Sequence, residues 1–230
     1  MATEAEALSA LTDEIVACRA CPRLVEWRER VAKEKRAAYH DEEYWGRPVP
    51  GFGDPAARLL IVGLAPAAHG GNRTGRIFTG DRSGDWLFGS LHRTGYANQP
   101  TSTRADDGLT LRDAYVSAAV RCAPPANKPT PDERDRCLPY LVRELALLER
   151  VRVLVVLGKF AYDATARVLA AAGSPLPTPR SPFGHGVEAR SERFIVVGCF
   201  HPSQQNTFTG RLTEPMLDDV FGRARELSGA

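Results

Sequence analysis

Four of the five cysteines in this 230-residue sequence form two pairs that could bind a metal. Cys18 and Cys21 form a C-x2-C motif, whereas Cys122 and Cys137 are more widely spaced. Two distant pairs of thiolates can converge on one tetrahedral site, and zinc and an iron–sulfur cluster both accept four cysteines. The second spacing fits neither a zinc ribbon nor a ferredoxin run, so buried apolar thiols remain the alternative. Cys199 lies inside an apolar run and is expected in the core.

A second group of chemically capable residues follows the apolar run 59–64, whose length is typical of a buried strand. The chain then becomes small, Gly-rich and basic, and Phe78 and Asp81 follow closely. A ring that can stack and a carboxylate therefore lie within reach of one loop. A strand that leads into a Gly-rich loop places backbone N–H groups at the carboxyl edge of a sheet, where open α/β folds bind ligands. The three arginines of 69–82 indicate either phosphate contacts or solvated surface.

His201 is a third candidate, because it directly follows the apolar run 193–200 and precedes Pro202 and Ser203. The end of a buried strand and the following proline should hold the imidazole in place. A lone histidine is more often structural, but the polar residues at 204–206 favour a function here. We expect three loops to meet at one sheet edge, and they span 65–81, 122–127 and 201–206.

The elements that must position these residues alternate between apolar strands and helices. Strands are predicted at 59–64, 114–121, 151–157 and 193–200. Helices are predicted at 2–17, 24–38, 85–94, 131–150, 160–172 and 214–227, with a capping box at Thr130 and Glu133. This alternation predicts βαβ units, and hence a three-layer α/β/α fold with a central four-stranded, mostly parallel sheet. We expect 1–230 to form a single domain whose N-terminal helical extension carries Cys18 and Cys21.

Composition narrows the function less than the motifs do. Hydrophobic residues make up 43% and charged residues 25% of the chain, and the net charge of +2 is too small to indicate nucleic acid by itself. No apolar run has the length of a membrane span, and the acidic N-terminus does not suit a secretory signal. These features predict a cytoplasmic protein. Disulfides are disfavoured there, so the clustered cysteines point to metal or redox chemistry.

Five segments together resemble the uracil-DNA glycosylase superfamily. GLAPAAHG at 63–70 resembles its first motif and HPS at 201–203 its second. The four cysteines match the branch with a [4Fe–4S] cluster, and AVRCAPPANKPTP at 119–131 resembles the segment that carries the third cysteine. GRIFTGDRSG at 75–84 and a first motif without an acidic residue are similar to the fifth, B-type family.

The resemblance implies a DNA repair enzyme that flips out a damaged base and hydrolyses its N-glycosidic bond, leaving an abasic site. It also implies a [4Fe–4S] cluster on Cys18, Cys21, Cys122 and Cys137. The implied partner is double-stranded DNA with damaged bases, and single-stranded DNA is a further expected substrate form. The implied protein is a monomer associated with the nucleoid, with no role for a membrane.

The resemblance further assigns roles by position. His201 matches the histidine that donates to the base carbonyl, and Asp81 and Asn127 match positions that act through water or sugar contacts. The residues matching base-binding positions are Gly63, Ala65, Ala68, Phe78 and Ala118. The residues expected at DNA are His69, Arg73, Ser203, Gln204, Gln205 and Asn206. The loop after Ser203 resembles the one that enters the minor groove and fills the gap left by the base.

Two departures from the pattern affect the expected chemistry. Leu64 and Ala67 stand where related families place a polar residue that positions water. Ala118 replaces the asparagine with which a sister family reads uracil, so we expect a broader base range. That range comprises uracil, hypoxanthine, xanthine, ethenocytosine and thymine in mismatches.

Two other functions fit the same sequence. The first is a zinc-stabilised α/β protein that binds nucleotide phosphates at 63–76, although that loop lacks both a P-loop and a G-x-G-x-x-G pattern. The second is a DNA-binding module without activity, because the polar group of the first motif is missing. A brown protein would favour the glycosylase, and a colourless one with stoichiometric zinc would favour the first alternative.

Overall fold

A computed structural model of the protein describes residues 4–229. Within them the strands form one six-stranded sheet of order β1-β3-β2-β4-β6-β5. The strands are β1 Phe52–Gly53, β2 Leu59–Gly63, β3 Ala114–Ala118, β4 Val153–Leu157, β5 Glu188–Arg190 and β6 Ile195–Cys199. The four central strands are parallel, whereas β1 and β5 pair antiparallel at the two edges.

Eight α-helices connect and flank these strands in the described part of the chain. They are α1 Glu4–Ala17, α2 Pro22–Glu34, α3 Gly71–Thr74, α4 Arg82–Arg93, α5 Pro131–Leu147, α6 Lys159–Ala171, α7 Gln204–Phe208 and α8 Glu214–Ser228. The predicted capping box is present at the start of α5, where the Thr130 and Glu133 side chains each accept from the other's backbone N–H. Among the described residues, no helix combines the length and apolarity needed to cross a membrane.

Alternating side chains of the central strands fill two cores, one on each face of the sheet. Leu59 and Ile61 of β2 pack on one face with apolar residues of α4 and α8. Leu60 and Val62 pack on the other face with residues of α1, α5 and α6. Strands buried on both faces are typical of parallel sheets covered by helices. The predicted α/β class and its three-layer arrangement are therefore confirmed.

The predicted count of four strands was too low, because it omitted β1 and β5. These edge strands contain only two and three residues, which is too short to show a periodic pattern in the sequence. Several predicted boundaries needed adjustment: β3 ends at Ala118 rather than 121, and α5 ends at Leu147 rather than 150. Helix α4 begins at Arg82 rather than 85, α2 ends at Glu34 rather than 38, and the segment after Ser203 contains the short helix α7. Residues 2 and 3 of the first predicted helix lie outside the described residues.

Candidate functional site

The carboxyl ends of the parallel strands bring two predicted residues into contact. Phe78, on the loop after β2, and His201, directly after β6, have ring centroids 5.9 Å apart and ring planes tilted by 35°. Strands β2 and β6 flank β4 in the sheet, so both loops leave the same edge. One flat ligand ring could therefore stack on Phe78 while its rim reaches His201.

Phe78 is held in an unusual backbone conformation above the end of β2. Its φ of +52° lies in the left-handed region, which a bulky residue rarely adopts. Gly63 lies directly beneath, since a Cβ there would stand 2.7 Å from the Phe78 ring. The ring is 6% exposed and packs with the core cluster on that face of the sheet. Strained backbone in such a pocket is typical of functional sites.

The imidazole of His201 has no hydrogen-bond partner among the described residues and is uncharged at neutral pH. No described residue forms a hydrogen bond to its ring, which leaves both nitrogens available to a ligand. Burial lowers the pKa of His201 from 6.5 to about 4, because the charged form would lose its hydration. A neutral imidazole donates one N–H without carrying charge into the pocket.

The backbone around His201 is fixed from two sides. Asn206 Nδ2 donates to the His201 carbonyl at 2.9 Å, so the amide predicted to contact DNA is engaged inside the protein. The Phe200 N–H donates to His185 Nδ1 at 3.2 Å, and the two rings are 5.1 Å apart. Sequence reasoning missed His185, because no motif surrounds it and only the fold brings it to Phe200.

Asp81 combines the predicted proximity to the loop after β2 with a structural role that was not predicted. Its Oδ1 accepts from Gly84 N at 3.0 Å, which makes Asp81 the N-cap of α4. Its Oδ2 lies beside Gly70, where a Cβ would stand 2.1 Å away. Burial raises the pKa of Asp81 above its usual range, although the Gly84 and Ser83 N–H groups oppose the shift. The carboxyl therefore lies against the backbone of the first motif.

Two of the three arginines in 69–82 lie inside the protein. Arg73 is 6% exposed, pairs with Glu42, and donates from Nε to His69 O and from Nη2 to Gly80 O. Arg76 Nη2 forms a buried ion pair with Asp107 at 2.8 Å. These guanidinium groups brace the loop, so the predicted phosphate contact of Arg73 does not fit its position. The charge of an arginine cannot reveal from sequence whether it faces DNA or a buried carboxylate.

The other predicted DNA and sugar contacts are more accessible. Ser203 is half-buried at the N-cap of α7, and Gln204 and Gln205 are exposed. Asn127 is exposed on a short 3-10 turn with φ +54°, and no hydrogen bond or ring contact joins it to Phe78 or His201 in the described chain. His69 is half-buried, with its Nδ1 3.0 Å from the hydroxyl of Tyr44.

The alanines predicted to bind the base differ in how deeply they are buried. Ala118 ends β3 opposite Gly63 and is fully buried, so its methyl group belongs to the core. Ala65 and Ala68 are half-buried on the loop after β2. Ala65 packs against an apolar cluster that contains Cys122 and Cys137. The first motif therefore touches both the Phe78–His201 pocket and the cysteine region.

Helix α7 presents an apolar side chain to solvent beside the pocket. Phe208 is 66% exposed, and no other large hydrophobic residue in the described chain is classed as exposed. The Arg82 guanidinium lies 4.4 Å from the centroid of the Phe208 ring, a cation–π distance. This contact joins the residue after Asp81 to the helix after His201. No sequence motif singles out Phe208, although it lies in the loop expected to enter DNA.

The four paired cysteines lie around one small cavity beneath α2. Cys18, Cys21, Cys122 and Cys137 line it together with Arg28 and Arg121. Arg28 Nη1 donates to Cys122 Sγ at 2.9 Å, and the Arg121 N–H donates to Cys137 Sγ at 3.4 Å. Among residues 4–229, no group of three or more His, Cys, Asp and Glu side chains is arranged to hold a metal ion. Both cysteine pairs nevertheless line the same cavity.

Burial favours the neutral form of three of the thiols in this cavity. Burial raises the pKa of Cys122 to about 12 and that of Cys137 to about 11. Burial also raises the pKa of Cys21. A metal ligand must be a thiolate, so binding here would have to release protons and place negative charge in the cavity.

Comparison with known proteins agrees with this fold and pocket. The sequence profile of the uracil DNA glycosylase superfamily matches residues 50–224, which include the Phe78–His201 pocket. That match defines the class, an enzyme that hydrolyses the bond between a base and its sugar in DNA.

Individual relatives identify the family within this superfamily. A type-5 uracil-DNA glycosylase of Mycobacterium tuberculosis is 55% identical over 217 residues, covering 94% of this chain and 80% of that protein. One of Thermus thermophilus is 50% identical over 222 residues, covering 96% and 98%. A type-4 enzyme of Archaeoglobus fulgidus is 27% identical over 225 residues, covering 97% and 94%. The chain belongs to the type-5 family of the uracil-DNA glycosylase superfamily, and it is a DNA glycosylase.

Proposed function

We propose that this enzyme excises uracil from DNA by hydrolysis and leaves an abasic site. The observation that carries the proposal is the contact between the Phe78 and His201 rings at the carboxyl edge of the sheet. A flipped base stacked on Phe78 would present a carbonyl oxygen to the neutral imidazole. The names of the type-5 relatives support uracil as the base.

In this mechanism His201 stabilises the leaving base. Cleavage moves the glycosidic electron pair onto the base, leaves an oxocarbenium-like sugar, and lets water add to the sugar carbon. An imidazole N–H aimed at the base carbonyl stabilises the developing negative charge, as donors do in an oxyanion hole. Because burial keeps His201 neutral, this donor is present across the physiological pH range.

Asp81 and Asn127 remain candidates for the water and sugar contacts. Asp81 is the better placed, since its Oδ2 lies against Gly70 of the first motif and its Oδ1 is fixed by Gly84. Asn127 is exposed and can act only once DNA covers its turn. Apart from Lys128, no lysine falls in or near the matched motifs. Strand cleavage by lyase chemistry would use a lysine, so this supports hydrolysis that leaves the strand intact.

Phe208 and the residues before it supply the proposed contact with the duplex. An exposed ring beside a base pocket can enter the stack and occupy the space of the extruded base, as apolar wedges do in other DNA-binding proteins. Ser203, Gln204 and Gln205 would contact the adjacent backbone. Base extrusion costs about a few kcal/mol and is easiest at mismatches, which favours deaminated bases over paired normal ones.

The base range is proposed to extend beyond uracil. The buried methyl group of Ala118 offers no hydrogen bond to a base, so the end of β3 cannot impose a bidentate reading of uracil. Hypoxanthine and xanthine, ethenocytosine, and thymine in mismatches are the further proposed substrates.

The cysteine cavity is proposed to hold a [4Fe–4S] cluster on Cys18, Cys21, Cys122 and Cys137. The donors fit, because four sulfurs line one cavity and the Arg28 guanidinium and the Arg121 N–H already donate to two of them. Cluster thiolates are commonly tuned by such N–H···S bonds. When bound, the cluster would tie α1 and α2 to the segment 122–137. Visible absorbance and iron content distinguish it from zinc.

A single-turnover assay on a duplex with one uracil tests the glycosylase proposal. Strand cleavage should be seen only after alkali treatment, because an abasic site is alkali-labile and the enzyme itself leaves the backbone intact. Duplexes with hypoxanthine, xanthine, ethenocytosine or a G·T mismatch test the wider range. No alkali-dependent cleavage on any of these duplexes would overturn the proposal.

A further inference from the structure

Arg28 occupies an unusual position between the two cysteine pairs. It lies on α2, is 2% exposed, and donates from Nη1 to Cys122 Sγ at 2.9 Å and from Nη2 to Cys18 O at 3.1 Å. One side chain therefore contacts a member of each pair. An uncharged methionine or glutamine could fill part of this space, so the property that needs explaining is the charge of Arg28.

The charge of Arg28 is poorly balanced by the protein alone. Among the described residues its one ion-pair contact is with Glu29 at 3.9 Å, and the Glu29 side chain is 44% exposed and hydrogen-bonded to Arg19. The Arg28 Nε atom is buried without a hydrogen-bond partner among the described residues. Burying a cation is costly unless it is paired. Negative charge in the cavity that Arg28 faces would therefore stabilise its buried guanidinium.

Arg121 provides a contrast within the same cavity. Its guanidinium forms a buried ion pair with Glu144, and Nη1 reaches Oε1 at 3.0 Å. Ser117 Oγ adds a hydrogen bond to Glu144 at 2.7 Å. The protein therefore gives the Arg121 guanidinium a buried carboxylate and gives none to that of Arg28, although Arg121 Nε, like Arg28 Nε, is buried without a hydrogen-bond partner among the described residues. Four cysteine thiolates with their cluster carry the negative charge that Arg28 lacks.

The same residue also reaches the loop after β2. Asn72 Nδ2, at the start of α3, donates to the Arg28 carbonyl at 3.2 Å and is fully buried. Gly46 N in turn donates to Asn72 O at 3.0 Å. Helix α3 lies between the first motif and Phe78. A displacement of Arg28 would therefore reach the segment that positions the base pocket.

We propose that Arg28 couples the cysteine site to the base-pocket loop. Its guanidinium compensates the thiolate charge and donates to Cys122 Sγ, while its carbonyl holds Asn72. The inference rests on the cluster proposed above. It makes Arg28 a positioning residue, which stabilises the cluster and keeps α3 in place but does not touch the base.

The test compares Arg28→Gln and Arg28→Lys with the control Arg30→Gln. Arg30 lies on the same helix, but it is exposed and its ion pair is with Glu26. Three readouts are needed: iron and sulfide per chain, the rate of absorbance loss on ferricyanide oxidation, and hydrogen exchange of 70–75. We expect Arg28→Gln to lose absorbance at least about fivefold faster than wild type and to exchange faster at 70–75. Arg28→Lys should fall between, and Arg30→Gln should match wild type.

A second variant separates coupling from cluster stability. Asn72→Ala should keep the cluster and its wild-type rate of loss, yet exchange faster at 70–75. Wild type without iron and sulfide would defeat the cluster proposal itself. A loaded wild type whose Arg28→Gln variant loses absorbance no faster than Arg30→Gln would overturn the inference. If Arg28→Gln does not fold, an Arg28→Lys variant that loses absorbance no faster than Arg30→Gln, or unchanged exchange in Asn72→Ala, would overturn it.

Discussion

The base pocket and the cysteine cavity are both buried, but they treat charge in opposite ways. In the base pocket, burial keeps His201 neutral and raises the pKa of Asp81. In the cysteine cavity, Arg28 keeps a buried guanidinium against Cys122. The pocket has to stabilise negative charge that exists only as the base leaves, whereas the cavity fits charge that is permanent. Desolvation therefore favours the uncharged groups of the base pocket, whereas in the cysteine cavity it favours the negative charge of the proposed cluster beside Arg28.

Filling the space under Phe78 is expected to slow excision strongly. Gly63→Ala would place a methyl group 2.7 Å from the ring and displace it. We expect excision to slow by about 10²-fold, the usual size of a misplacement of about 1 Å in an active site. Single-turnover uracil release measures the effect. Gly222→Ala on α8, where nothing lies within 4 Å, is the control.

Asp81→Asn should lower the rate of excision and raise the stability of the fold. The amide keeps an acceptor for the Gly84 N–H, so the helix cap is retained, while the charge is removed. We expect excision to fall by about tenfold, the lower end of effects on electrostatic contacts to a transition state. A raised folded-state pKa means that the carboxylate destabilises the fold at neutral pH. Asp81→Asn should therefore have a higher Tm at pH 7, and a lower Tm would contradict the assigned burial.

Phe208→Ala should weaken DNA binding more than it slows base excision. The loss of an exposed wedge should weaken binding to an abasic duplex by about fivefold, since stacking of a base on an aromatic ring contributes about 1–3 kcal/mol at most. Fluorescence anisotropy gives the Kd. The iron content should stay unchanged, because α7 is remote in sequence from the cysteines. An unchanged Kd would remove Phe208 from the interface.

The smallest expected effect is that of pH on His201. Because its folded pKa of about 4 lies below the ordinary 6.5, the rate should show no inflection near pH 6.5 from this residue. The same shift makes the folded state lose stability as pH falls from 6.5 towards 4. His201→Gln should lessen that loss, as urea unfolding at several pH values would show. An inflection near 6.5 that disappears in His201→Gln would show that the imidazole is not desolvated.

The contrast between the regions also explains what the sequence could predict. The four central strands follow from apolar runs, the Phe78–His201 pair from motifs after two of those strands, and the two cysteine pairs from their own spacing and motifs. Pairing between distant polar groups does not have a local pattern. The ion pair of Arg73 with Glu42 and the hydrogen bond from Asn206 to the His201 carbonyl could not be read from the sequence, which predicts only that both residues contact DNA. Arg28 lies in an ordinary charged helix, and only the fold places it between the cysteines.

The most direct test of the account is single-turnover uracil release by His201→Ala. The control is His40→Ala, because His40 is an exposed histidine on the segment after α2. The account predicts a loss of about 10²–10³-fold in His201→Ala, the size expected for one donor to a developing anion, with unchanged affinity for an abasic duplex. His40→Ala should match wild type. A His201→Ala variant that releases uracil at the wild-type rate would contradict the assignment of the base pocket.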